Sequence, residues 1–242
     1  MHGCSGKQHN EFGAKIMEAP VIVISSSSAG AGKTTLALNL AAALWSDSYK
    51  VRLFAPHNET VRQFMAQRRI LRTQSGTDLP LPELIDDISE LSVADDKTVV
   101  IADIPAQGAE RYAEVFAKAH TLITVGKSAA DFEWPLTHPY INLIWEAKKS
   151  IAARGIKYLN WIAVLNQTTE DAESIKQTLA AATKRFGFRV AEPLHDREAF
   201  RYIENGYCAA DMANFRKLFK MSMSDVYARR EILTLTDFLW QK

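Results

Sequence analysis

Four consecutive β-branched residues, Val21-Ile22-Val23-Ile24, precede a run of small residues that leads into Leu36-Ala37-Leu38-Asn39-Leu40-Ala41-Ala42-Ala43-Leu44. An unbroken apolar run of this length predicts a strand buried on both faces, and the Ala/Leu stretch predicts a helix that fades near Ser46-Asp47-Ser48. Lys50-Val51-Arg52-Leu53-Phe54 predicts a second strand, ending in Ala55-Pro56-His57-Asn58. Thr60 to Arg72 has the period of an amphipathic helix, with Val61, Phe64, Met65 and Ile70 on one face and Arg62, Arg68, Arg69 and Arg72 reading as a solvated face. Ser75 to Pro82 is a loop by its Gly and two Pro, and the acidic stretch Glu83 to Asp96 is expected to hold a short exposed helix around Leu84, Ile85, Ile88 and Leu91.

The run Thr98-Val99-Val100-Ile101-Ala102-Asp103-Ile104-Pro105 predicts a strand that ends on a carboxylate. Ala109 to Ala119 predicts a helix, and His120 to Val125 the next strand. Ala130 to Arg154 reads as a long helical region interrupted by Pro135 and Pro139, and Lys157 to Leu165 as a buried strand followed by Asn166-Gln167. Strands alternate with helices and none is paired by a hairpin turn. The expected class is therefore α/β, a mostly parallel twisted sheet with helices on both faces. One domain is expected over residues 19–242, with residues 1–18 as a polar, disordered leader.

In such sheets ligands sit at the carboxyl ends of the strands, and the segment Ser25 to Thr35, SSSSAGAGKTT, occupies that place after the first strand. Loop N–H groups and a positive helix terminus there suit phosphate, Lys33 can reach the β/γ-phosphates, and the Thr34 hydroxyl is placed for Mg²⁺. Ala29, Gly30, Ala31, Gly32 and Thr35 complete the cradle. The plain phosphate-loop pattern asks for Gly at 27, where this chain has Ser27. Asp103, roughly 70 residues beyond Lys33, is what a Walker B carboxylate facing the Mg²⁺ shell requires, although an Asp closing a strand also serves as an ordinary turn former. His57 reads as a loop histidine.

Net charge adds little: the formal charge is +1, so any nucleic-acid contact must come from a local patch. Cys4 and Cys208 are far apart, which indicates neither a disulfide framework nor a zinc site. No apolar run approaches a membrane span and the N-terminus has no signal-like core, so a cytoplasmic protein is expected. The stripe Ile232, Leu235, Phe238, Leu239 and Trp240, with Arg229, Arg230 and Lys242 nearby, fits a terminal helix docked on the core or an amphipathic membrane anchor.

Ala29-Gly30-Ala31-Gly32-Lys33-Thr34-Thr35 resembles the deviant phosphate loop of the ParA/MinD ATPases, and Asp103-Ile104-Pro105 resembles their Walker B motif. Within that superfamily the C-terminal third is similar to the MipZ family: Lys184-Arg185-Phe186-Gly187-Phe188-Arg189, Leu194-His195-Asp196-Arg197, Phe200-Arg201-Tyr202, Met223-Ser224 and Ala228-Arg229-Arg230-Glu231. So are the Arg68-Arg69 pair, Leu79-Pro80-x-Pro82, and Trp161 spaced five residues before Asn166. The resemblance implies the P-loop NTPase fold, ATP and Mg²⁺ as cofactors, Lys33 and Asp103 as catalytic groups, and Asn166 facing adenine. It implies a homodimer formed on ATP, nonspecific contact with nucleoid DNA, a ParB-like partition protein and an FtsZ-like division protein as partners, and no membrane. Lys184, Arg185, Arg189, Arg197 and Arg201 would supply the DNA face, or else are scattered surface charge among Glu192, Asp196, Glu198 and Glu204.

Two positions depart from the family. Its first P-loop Lys, which reaches across the dimer to the partner's phosphates, is Ser28 here, and the switch carboxylates after the second strand fall near Ala55 and His57. Nucleotide binding with slow or lost hydrolysis is therefore expected. The alternatives are a nucleotide-binding interaction protein without turnover, a MinD-like membrane switch, and a metabolic P-loop enzyme of the same fold.

Overall fold

The computed structural model describes residues 18–92, 95, 97–169, 171–213 and 222–241. Apart from Glu18, the expected leader lies outside the described residues. The strands are β1 (Val21–Ser25), β2 (Lys50–Phe54), β3 (Glu83–Ile85), β4 (Thr98–Asp103), β5 (Thr121–Gly126), β6 (Asn160–Thr168), β7 (Arg189–Val190) and β8 (Leu194–His195). The helices are α1 (Lys33–Ser46), α2 (Glu59–Ser75), α3 (Ala113–Lys118), α4 (Pro139–Ala153), α5 (Ala172–Thr178), α6 (Ala180–Phe186) and α7 (Met223–Trp240). The sheet runs β3-β2-β4-β1-β5-β6-β7, with β8 also on β6, and every described strand pair is parallel.

The central strands divide the core into two layers, because successive side chains leave a strand on opposite faces. Ile22, Ile24, Val99 and Ile101 pack with α1, α2 and α7, whereas Val21, Val23, Val100 and Ala102 pack with α3, α4 and α6. Burial on both faces is why β1 and β4 read as unbroken apolar runs.

Several expected boundaries move. Residues 83–91 are not one helix: Glu83 to Ile85 pairs with β2 as an edge strand, and only Ile88–Leu91 turns helically, as a 3-10 helix. Arg52 on β2 decides this by bonding Glu83 at 3.0 Å and the Glu90 carbonyl at 2.7 Å, so tertiary contacts override a pattern that fits either element. The helix expected at 109–119 begins as a 3-10 turn, Ala109–Tyr112, before α3. Pro139 does not interrupt α4 but starts it, at the position where a missing N–H costs nothing, and His138 caps the turn. β6 starts at Asn160 and runs on past Leu165, so Asn166 lies within the strand, opposite Leu194 of β8.

Arg68 does not belong to a solvated face. It is fully buried and donates to both oxygens of Asp211 (2.6 and 2.8 Å), to Gly206 O (2.9 Å) and to Pro80 O. The C-terminal stripe is docked on the core: Ile232, Leu235 and Leu239 are buried in the same layer as α1, and Trp240 stacks on Tyr49. No helix among the described residues is long and apolar enough to cross a membrane.

Candidate functional site

The loop between β1 and α1 turns on two glycines in the left-handed region, Gly30 (φ 71°) and Gly32 (φ 88°). Gly32 has a second reason to lack a side chain, since a Cβ there would lie 2.1 Å from Asn166 Nδ2. It is also the N-cap of α1 and supplies no side-chain cap, so the first-turn N–H groups of this 14-residue helix keep their capacity for an anion. No acidic side chain occupies that first turn.

β1 and β4 are neighbours with Ile24 opposite Asp103, and this register sets the Asp103 carboxylate beside the start of α1. Thr34 Oγ1 donates to Asp103 Oδ2 at 2.6 Å. Lys33 (8% exposed) and Asp103 (3% exposed) are both desolvated. Burial lowers the Lys33 ammonium from its ordinary pKa against the opposing pull of Asp103, and burial raises the Asp103 carboxyl against the Thr34 donor, the Lys33 charge and the Asn58 donor. A cleft of about 380 Å³ opens over these groups, walled by the P-loop, by the turn Pro56-His57-Asn58 with Glu59, and by Pro105 to Gln107.

The donor set fits a nucleotide-bound Mg²⁺, an ion that takes one or two protein oxygens and completes its shell with phosphate and water. Thr34 Oγ1 and Asp103 Oδ2 are the oxygens that would hold it, and the described residues hold no denser cluster suited to an all-protein metal site. Of the expected residues, Ala29 to Thr35 and Asp103 therefore come together. Asn166 joins them differently from a side chain aimed only at a base: its Nδ2 donates to Ala31 O at 2.8 Å and ties the P-loop to β6.

The basic cluster divides. Arg189 donates to Asn160 Oδ1 (2.7 Å) and lies over the Phe238 ring, and Arg197 is held on Glu231 (2.8 and 2.6 Å). Arg201 bonds the exposed Asp196 at 2.9 Å, while Lys184 and Arg185 sit in the last turn of α6.

Sequence reasoning overlooked three side chains. Asn58, two residues beyond Pro56 at the carboxyl edge of β2, donates to Thr34 Oγ1 (3.0 Å) and Asp103 Oδ2 (2.9 Å). Its position at a strand end beside the Walker B strand was the available signal. Asp131 accepts from Ser28 Oγ at 2.8 Å, and Trp134 Nε1 donates to Ser27 Oγ at 3.0 Å, so the departures at 27 and 28 are both tied to the segment after β5. Nothing local in the sequence pairs those positions. Ala55 is buried and His57, at φ 56°, lies exposed on the cleft wall, so neither brings a carboxylate, and Glu59 is the acidic side chain that this turn adds to the cleft.

Residues 99–240, more than half of the chain, match the family described as ATPase MipZ. The chain belongs to the MipZ ATPase family. The match begins on β4, so it includes Asp103 and Asn166, whereas the P-loop with its departures lies before it. Among solved structures, the chain is similar to MinD of Aquifex aeolicus in the MinC:MinD cell division complex (15% identity, 91% of this chain and 95% of that one, TM-score 0.57). It is also similar to the Mg-ADP complex of MinD from Pyrococcus horikoshii (14%, 92% and 96%, 0.55) and to the ATP complex of a McdA variant from Cyanothece (15%, 93% and 98%, 0.52). At these identities the likeness establishes the shared α/β P-loop fold. A search of the curated proteins finds no match.

Proposed function

We propose that this MipZ-family chain is an ATP-binding switch protein acting in placement of the division plane or in chromosome partition, with nucleotide binding retained and hydrolysis slow or absent. The observation that carries the binding half is the contact between Thr34 Oγ1 and Asp103 Oδ2 beside the desolvated Lys33, under an uncapped helix terminus. Bound Mg²⁺ would neutralise phosphate charge there. Lys33 adds a point charge in a site where water screens it poorly, and the loop N–H groups of Gly30 to Thr34 orient the phosphates.

The second half rests on what is missing. Ser28 has neither the reach nor the charge of the family's first P-loop Lys, and neither Ala55 nor His57 can hold a water by a carboxylate. Those two family roles act on charge and geometry that develop in the transition state, so their loss slows turnover while ground-state contacts survive. Family membership supports an ATP-dependent homodimer with a ParB-like and an FtsZ-like partner, and Ser28 in place of the cross-dimer Lys favours a dimer weaker than the family norm. Nonspecific DNA contact gains support from Lys184, Arg185 and Arg201. A membrane-switch reading loses support because Ile232, Leu235 and Leu239 of the α7 stripe are buried against the core, leaving Trp240 as its exposed member.

Calorimetry with ATP and Mg²⁺ tests the binding half: Lys33→Ala should weaken affinity at least ~10-fold, about the effect of losing a hydrogen bond to a charged group. Equal affinity in wild type and variant would remove the assignment.

A further inference from the structure

The Asn58 side chain has two separate attachments. Its Oδ1 accepts from Val61 N at 3.3 Å and caps α2, while its Nδ2 donates to Thr34 Oγ1 and Asp103 Oδ2 at 3.0 and 2.9 Å. Those two oxygens already share the Thr34 hydroxyl proton, and they are the same pair that the site offers to a divalent cation. An amide NH₂ is a weak, fixed positive end, and here it faces the two oxygens that a cation would draw on. The far half of α2 is fixed independently, because Arg68 is buried on Asp211 and Gly206. A change at Asn58 is thus confined to the N-terminal turns of α2, ahead of that anchor.

We propose that Asn58 is a positioning residue that holds the place of the cation in the nucleotide-free protein, so that cation binding and the N-cap of α2 compete for one side chain. The physical reason is charge. Both N–H hydrogens point at Thr34 and Asp103, and a divalent ion drawing on the same oxygens repels them. Turning the amide away removes the geometry in which Oδ1 reaches Val61 N. The two equilibria are therefore linked, and by reciprocity whatever stabilises the α2 cap made by the Asn58 side chain weakens the cation. The inference rests on the reading of Thr34 and Asp103 as Mg²⁺ ligands.

Substitution separates the two attachments. Asn58→Ser keeps a good N-cap but cannot span to Thr34 and Asp103. Asn58→Asp keeps both the cap and the reach while replacing the donor by an acceptor. The experiment titrates Mg²⁺ into the ATP-loaded full chain, following a fluorescent ATP analogue, and in parallel measures amide hydrogen exchange over residues 61–64. In wild type, exchange there should quicken on adding Mg²⁺ to the ATP complex but not on adding ATP alone. Both variants should bind Mg²⁺ about 10-fold more tightly, roughly the scale of one hydrogen bond to a charged group. In Asn58→Ser the exchange should cease to respond to Mg²⁺. Wild-type exchange indifferent to Mg²⁺, or variants with unchanged Mg²⁺ affinity while ATP still binds, would overturn this inference alone. Failure of wild type to bind the nucleotide with or without Mg²⁺ would overturn the nucleotide reading and this inference with it.

Discussion

Ser28 Oγ donates to Asp131 Oδ1 at 2.8 Å, joining the first half of the P-loop to the turn that follows β5. Burial pushes the Asp131 carboxyl up, yet the donors Lys127 N, Ser28 Oγ and Ser128 together outweigh it and hold it below its ordinary range. A carboxylate therefore waits beside the position where the family carries its first Lys. Ser28→Lys should place the new ammonium on Asp131 of its own chain, with little gain in ATP-dependent self-association. The double variant Ser28→Lys with Asp131→Asn frees the amine and should associate more strongly. Sedimentation velocity with ATP and Mg²⁺ distinguishes the two, and equal association would show that Asp131 does not capture the lysine.

Asp103 is a buried acid whose pKa is raised, so the sign of its contribution is fixed. Between the ordinary carboxyl value and the raised folded value the native protein keeps a proton that the unfolded chain has released, and stability falls as pH rises through that window. Above it the full cost of burying the charge remains. Asp103→Asn should raise the melting midpoint of the nucleotide-free protein at neutral pH, on the order of 2–4 °C if about 1 kcal/mol is recovered, and should give no gain at a pH below the window. The same variant should lose Mg²⁺-dependent nucleotide binding. Thermal scans at both pH values, with and without Mg²⁺ and ATP, check the pair of effects.

The bidentate Arg68–Asp211 pair is the most buried ionic contact described, with both side chains about 1% exposed. Asp211→Ala leaves an arginine charge without its partner and should destabilise the fold by about 3–5 kcal/mol. Urea unfolding of the variant measures this. A loss under about 1 kcal/mol would mean that Gly206 O and Pro80 O suffice to hold the guanidinium, at the scale of ordinary neutral hydrogen bonds.

Much of the site is legible because its signals are local. β1, the P-loop and α1 are contiguous, and Asp103 closes a strand whose apolar run is unmistakable. The rest depends on partners distant in the chain. An arginine on an amphipathic helix reads as solvated until Asp211, 143 residues away, is brought beneath it. β3 is three residues long, too short for period to separate strand from helix, and only pairing with β2 decides it. Asn58 carries no signal beyond closing the segment after the second strand, because the two oxygens it faces belong to α1 and β4.

The five basic residues of the expected DNA face should separate in their effects. Arg197→Ala breaks the pair with Glu231 and should affect folding stability more than DNA affinity. Lys184→Ala with Arg185→Ala should weaken binding about uniformly across sequences and flatten its salt dependence by up to about two phosphate contacts. Fluorescence anisotropy on duplexes of unrelated sequence, across a salt series, reads both. Identical salt slopes in wild type and the double variant would place Lys184 and Arg185 outside any DNA face.

A single-turnover quench reads whether the protein holds ATP and Mg²⁺ without the groups that drive hydrolysis. Radiolabelled ATP and Mg²⁺ are mixed with excess wild-type protein, and the bound nucleotide is recovered over time. The label should remain on the protein and be recovered as ATP, long after an enzyme with both family groups intact would have converted it. Rapid conversion of the bound ATP to ADP would contradict it and would make Glu59, the carboxylate that the turn after β2 brings to the cleft, the first residue to substitute.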